Sequence, residues 1–176
     1  MGEGEETGIR EIAASLNAVH DQTGGITPLS ILETTAGQGT AVGCRFEHLR
    51  DILAMVRDRH RVAVCMDTAH LFAAGYDIST EEGWEATITA FERIIGLRSL
   101  AAIHVNDSKK PLGSRVDRHE HIGKGLIGLT GFRMLMNDRR LAGIPKILET
   151  EKSDDMHEDV ENMALLTSLG EAGGVP

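Results

Sequence analysis

Glu33, Asp67, His104 and Glu149 each sit at the end of a short apolar stretch: PLSILE, RVAVCMD, LAAIHVND and PKILE. Carboxylates and imidazoles recurring at such ends read as one metal site fed by several strands, because barrels of alternating strands and helices build their active sites at the C-terminal tips of parallel strands. Two further pairs extend the site. DTAH puts His70 three residues after Asp67, a geometry suited to two neighbouring metals, and SRVDRHEH carries Asp117 and His119 two residues apart. Taken alone, Asp67 reads as well as a helix cap, and the Asp117/His119 pair as part of a solvated loop. Beside the four strand tips, the metal reading is the stronger one. A mixture of Asp, His and Glu without cysteine suits an open, catalytic zinc or manganese site.

Other residues are weighed against this centre. Lys109, Lys110, Arg115 and Arg118 make the second loop locally basic, and arginine grips phosphate in bidentate fashion. The run around Gln38, flanked by Gly37 and Gly39, matches neither glycine-rich nucleotide motif; close backbone approach to a metal-bound phosphate fits it better. A Ser108/His104/Asp117 triad lacks a strained nucleophile elbow. His20, His48, His60 and His157 fall in or beside expected helices and read as surface residues, while His121 reads as structural support. Cys44 and Cys65 are too few and too far apart for a disulfide framework or a cysteine zinc site and read as reduced core thiols.

The elements that must position these groups follow from periodicity. Ile9, Ile12, Ala13, Leu16 and Val19 predict a helix over 8–21, and the TGG after it a stop. Strands are predicted at 26–33, 61–66, 99–105 and 145–149, and helices at 46–59, 81–95 (capped by Ser79 or Thr80), 129–139 and 157–169, before a Gly-rich end. The intervals from Glu33 to Asp67, His104 and Glu149 are 34, 37 and 45 residues, each long enough for the crossover helix that parallel strands require. The stretch NDSKKPLGSRVDRHEHIGKG has no periodicity, and a loop of about 20 residues inside a compact domain is usually functional. The fold class is therefore α/β, with four parallel strands and flanking helices. That is half of an eight-stranded barrel, which typically needs about 250 residues, so a single partial domain is expected over 1–176, with two sheet edges to cover.

With 41% hydrophobic and 26% charged residues, the chain has an ordinary globular composition, and no apolar run approaches the roughly 20 residues of a membrane helix. The acidic opening MGEGEETGIREIAA lacks a basic start and apolar core, so the expected location is cytoplasmic, with no membrane partner. A net charge of −9 argues against a protein that coats nucleic acid with a basic surface, but bound cations would neutralise several of these carboxylates.

LETTAGQGTAVG, FEHL, VCMDTAHLFAAGYD, HVNDSKKPLGSRVDRHEHIGKG and GIPKILET, in this order and spacing, resemble the endonuclease IV family of apurinic/apyrimidinic endonucleases across nearly the whole chain. The resemblance implies the C-terminal half of a TIM barrel, in the superfamily of xylose isomerase. It also implies zinc-dependent cleavage of double-stranded DNA 5′ to an abasic site, in base-excision repair. It makes Glu33 a carboxylate bridging two zinc ions, with Asp67, His104 and Glu149 completing one of them and His70, Asp117 and His119 holding a third. Glu33 and Glu149 would be the catalytic carboxylates, and Gln38, Lys109, Arg115 and Arg118 substrate contacts. The first four strands of the family barrel, with the two histidines they give the zinc beside Glu33, have no counterpart here. About two ions are therefore expected where the family pattern has three. Another polypeptide, or a second copy, is expected to complete the barrel, and the isolated half is expected to be impaired. Two alternatives are a metal-dependent sugar isomerase or epimerase of the same superfamily, and a non-catalytic half-barrel that binds metal.

Overall fold

A strand whose every residue is buried forms the centre of the molecule. In the computed structural model, which describes residues 4–24 and 28–170, β2 (Val62–Asp67) is buried along its whole length. Such a strand must be covered on both faces, which is why VAVCMD is nearly continuously apolar. β1 (Ser30–Glu33) lies on one side of it, β3 (Leu100–His104) on the other, and β6 (Lys146–Ile147) beyond β3. All neighbours run parallel, as the crossover spacing requires. The register sets Glu33 level with Cys65, Asp67 with His104, and His104 with Ile147. The residues expected to hold metal thus gather at one end of the sheet. The first strand is shorter than the sequence suggests; its expected start at Ile26 falls outside the described residues, as does the Gly-rich end. The fourth strand shrinks to two residues, leaving Glu149 just past its tip.

Because side chains alternate along a strand, Val62, Val64 and Met66 face one way and Ala63, Cys65 and Asp67 the other. The first set joins the apolar core beneath the helices. These are α1 (Glu5–Gln22), α2 (Phe46–Met55), α4 (Glu81–Ile94), α5 (Gly128–Asn137) and α6 (His157–Leu169), each packed against the next in that order. Phe46 anchors this layer, stacked on Tyr76 with ring centroids 4.2 Å apart and meeting Phe91 edge-on at 5.2 Å. Thr80, of the two hydroxyls expected to cap α4, accepts a hydrogen bond from the Gly83 N–H at 3.1 Å.

Three short elements are absent from the sequence-based expectation. A seven-residue helix, α3 (Thr68–Ala74), starts directly at the tip of β2. Within the long polar loop, β4 (Asp107–Ser108) and β5 (His119–Glu120) pair antiparallel. Two histidines expected at the surface are buried. His48 is only 1% exposed, with Nδ1 accepting the Gly43 N–H at 3.1 Å; His20 is held 3.0 Å from Ser30 Oγ. In both cases one ring nitrogen finds a polar partner elsewhere in the chain, although His20 Nδ1 is buried without a hydrogen bond. His60 and His157 are exposed, and His121 meets Asn162 of α6 at 3.1 Å. Cys65 is a buried free thiol as expected, whereas Cys44 is only half-buried. Among the described residues no helix is long and apolar enough to cross a membrane.

Candidate metal centre

Asp67 is where the site begins. Its Oδ1 accepts the His70 N–H at 2.8 Å, so the carboxylate caps α3. Its Oδ2 accepts a hydrogen bond from Asn106 Nδ2 at 2.6 Å. The cap reading and the ligand reading therefore do not exclude one another, because a carboxylate offers about four lone-pair sites. Capping also turns His70 back over the strand tips, where Nδ1 lies 2.7 Å from Thr34 O and 3.2 Å from Glu33 Oε1.

Around Asp67 the residues form two groups. Ligand atoms of Glu33, Asp67, His104 and Glu149 lie within 4.8 Å of one another, and those of Asp67, His70 and His119 do the same. In the first group His104 Nδ1 stands 3.1 Å from Glu33 Oε1 and 3.0 Å from Glu149 Oε2. Asp117 adds itself to the second, 3.1 Å from His70 Nε2 and 3.3 Å from His119 Nε2. All seven residues singled out as metal ligands in the sequence thus converge on one place, from four strand tips, from α3 and from the long loop.

The donor set fits divalent cations. His70 Nε2 and His119 Nε2 are buried and make no hydrogen bond, although carboxylate oxygens are close by. Leaving such a nitrogen unsatisfied costs about 1–3 kcal/mol, and coordination of a cation removes the deficit. Protonation behaviour points the same way. Burial opposes charge on His70, but the Glu33 hydrogen bond and the charges of Asp67 and Asp117 prevail and raise its pKa to about 9. Burial likewise opposes charge on Glu33, yet hydrogen bonds and charges from His70 and His104 bring its pKa below the ordinary value. For Asp67 burial dominates and pushes the carboxyl up. A cation takes the place of those protons and stabilises the carboxylates instead.

Residues behind the ligands were not singled out from the sequence. Thr34 Oγ1 accepts the Asp67 N–H at 2.9 Å, Thr68 Oγ1 donates to Asn106 O at 2.6 Å, and Asn106 Oδ1 accepts the Glu149 N–H at 2.9 Å. Asp107, fully buried, accepts hydrogen bonds from the N–H groups of Ser108, Gly123, Gly125 and Ile127 at 2.8–3.0 Å. It closes the base of the loop that carries Asp117 and His119. A Cβ on Gly125 would stand 2.5 Å from Asp107 Oδ1, so only glycine admits this knot. The available signal was the pair Asn106–Asp107 directly after a strand tip.

The residues expected to touch substrate are arranged differently. Gln38 Oε1 accepts the Asp117 N–H at 3.1 Å, supporting a ligand of the second group. Arg118 Nη1 donates to Asp117 O at 2.5 Å, and Arg115 takes the left-handed conformation at φ 54°. Lys109, Arg115 and Arg118 are exposed and form no ion pair among the described residues.

The family model described as Xylose isomerase-like TIM barrel matches residues 1–169. The chain belongs to that family. Its curated relatives include proteins named "Probable endonuclease 4" from Chloroflexus aurantiacus, 49% identical over 168 residues, and Geobacter sulfurreducens, 52% identical over 169 residues. Each alignment takes in 96% of this chain but only 59% and 57% of the relatives. Among solved structures, endonuclease IV from Thermus thermophilus superposes with a TM-score of 0.80 at 33% identity, covering 92% of this chain and 57% of that one. This TIM-barrel chain thus bears out the resemblance read from its motifs, and it spans a little over half the length of these relatives.

Proposed function

We propose that this chain supplies the ligand-bearing half of a zinc-dependent phosphodiester hydrolase that cleaves DNA 5′ to an abasic site in base-excision repair. The observation that carries the reading is the pair of ligand groups sharing Asp67 at the sheet's C-terminal end, in a chain about half identical to proteins named probable endonuclease 4. In the proposed assignment Glu33, Asp67, His104 and Glu149 hold one ion, His70, Asp117 and His119 hold another, and Glu33 also reaches toward a third that lacks its histidines here. Bound divalent cations supply Lewis acidity toward a phosphoryl oxygen and lower the pKa of an attacking water toward about 7. The chain's own residues orient and discriminate. Lys109, Arg115 and Arg118 offer exposed cationic heads to phosphates, and Gln38 steadies the loop from beneath. An abasic nucleotide has no base to unpair, so rotating it toward such a site costs less than flipping an intact one. The proposed setting is cytoplasmic.

The test is cleavage of a duplex bearing one abasic site, with this chain alone and mixed with a polypeptide carrying the first four strands of a family barrel. Activity is expected only in the mixture. Misplacing a catalytic centre by about 1 Å can cost around 100-fold, and here part of one ion's ligand set must come from elsewhere. Absence of cleavage in a mixture that forms a stable complex would refute the assignment.

A further inference from the structure

One buried amide touches two of the proposed ligands at once. Asn106 is completely buried, two residues past His104. Its backbone is clamped by Thr68, whose Oγ1 accepts the Asn106 N–H at 2.8 Å and donates to its carbonyl oxygen at 2.6 Å. That clamp fixes the backbone from which the side chain projects, and the side chain itself is held by two further hydrogen bonds. Its Nδ2 donates to Asp67 Oδ2 at 2.6 Å, and its Oδ1 accepts the Glu149 N–H at 2.9 Å. The orientation of the amide is dictated by chemistry: a backbone N–H can only donate and an ionised carboxylate can only accept. No other side chain of this size presents a donor and an acceptor on one rigid plane. Aspartate keeps the shape and loses the donor, and leucine loses both.

The bridge spans three strand tips, since Asp67 ends β2, Asn106 follows β3 and Glu149 follows β6. With Oδ1 engaged by the His70 N–H and Oδ2 by Asn106, rotation of the Asp67 carboxylate is blocked. Its remaining lone pairs are held in fixed directions, and Asp67 belongs to both ligand groups. β6 pairs with β3 through only two residues, so the contact with Asn106 is one of the few that fix Glu149 beyond that short ladder.

We propose that Asn106 is a positioning residue that sets the pose of Asp67 and Glu149 together, and so couples the two cation subsites through one side chain. The inference rests on the metal-centre reading above. Outer hydrogen-bond partners of metal ligands typically contribute 10–100-fold in affinity, and because Asp67 is shared, loss of Asn106 is expected to weaken both subsites.

The experiment titrates the whole chain with cobalt(II) against a competing chelator, following the visible absorption of the bound ion together with thermal unfolding of the metal-free protein. The variants are Asn106→Ala, Asn106→Asp and Asn162→Ala. Asn162 is the control for burial: it is 4% exposed, accepts the Ile122 N–H at 3.0 Å and reaches His121 and Thr150, touching no proposed ligand. Both alanine variants are expected to melt earlier, but only Asn106→Ala should lose roughly 10–100-fold in cobalt affinity and show an altered spectrum. Should that variant fail to fold, Asn106→Asp decides, since it preserves volume and the acceptor for Glu149. Its added negative charge by itself favours a cation, so weaker binding there supports the positioning role, whereas unchanged or tighter binding overturns it. Equal affinity and spectrum in wild type and Asn106→Ala overturn it as well. Failure of the wild-type chain to bind cobalt would instead overturn the metal-centre reading.

Discussion

Asp67 does two jobs with one carboxylate, capping α3 and joining both ligand groups, and the consequences are measurable one residue at a time. His70, Asp117 and His119 are assigned to one ion, so replacing any of them by alanine should remove that ion, and double replacements should cost no more than single ones. Elemental analysis of the variants checks this; additive losses would separate residues placed together here. Glu33→Ala should be the most damaging single change. Glu33 meets both His70 and His104, and without it those imidazoles lose their shared counter-charge. Below the ligands, Cys65 is 2% exposed, and burial pushes its thiol up to about 12. In the native protein at pH 8, iodoacetamide should therefore modify half-buried Cys44 and leave Cys65 intact, which peptide mass spectrometry resolves.

At the scale of elements, the loop from 106 to 127 depends on Asp107. Asp107→Ala strands four inward-pointing N–H groups and should cost on the order of 3 kcal/mol. Gly125→Ala, whose Cβ would collide with the same carboxylate, should cost about 1–3 kcal/mol. Both are read by denaturant unfolding of the metal-free chain. A second junction joins α4 to the turn after α5: Trp84 Nε1 donates to Asp138 Oδ2 at 2.9 Å, and Arg140 pairs with both Asp138 and Glu85. Burial raises the Asp138 pKa, but hydrogen bonds from Arg140 and Trp84 outweigh it and hold the pKa below the ordinary 3.8. A depressed folded pKa stabilises above the unfolded value and ceases to do so as pH falls through the folded one. The stability gap between wild type and Asp138→Asn should be full at pH 7 and close below about pH 4.

These elements also show how far the sequence could be read. The four ligand-tipped strands and five outer helices were legible because a carboxylate or imidazole closing an apolar run is conspicuous, and because helical periodicity is local. Asp67 was legible as a possible cap, but α3 behind it is only seven residues long, too short to show a helical period. β4 and β5, at two residues each, have no period to detect. The burial of His48 and His20 and the bridging role of Asn106 depend on Gly43, Ser30 and Glu149, which only the fold brings near; local patterns do not encode such partners.

For the whole molecule, the question is what covers the open edges. β1 and β6 each have a side without a strand partner among the described residues, and Ile31 and Ile147 are 47% and 46% exposed there. The isolated chain is expected to self-associate loosely through these edges, and Ile147→Lys to reduce the association, as sedimentation would record. In the proposed centre, seven side chains form cation sites without help from another chain. Metal analysis of the purified chain, loaded with zinc and dialysed, tests it most directly. About two tightly held zinc ions per chain are predicted from the ligand groups present, while three would refute the ligand count and none would contradict the metal centre itself.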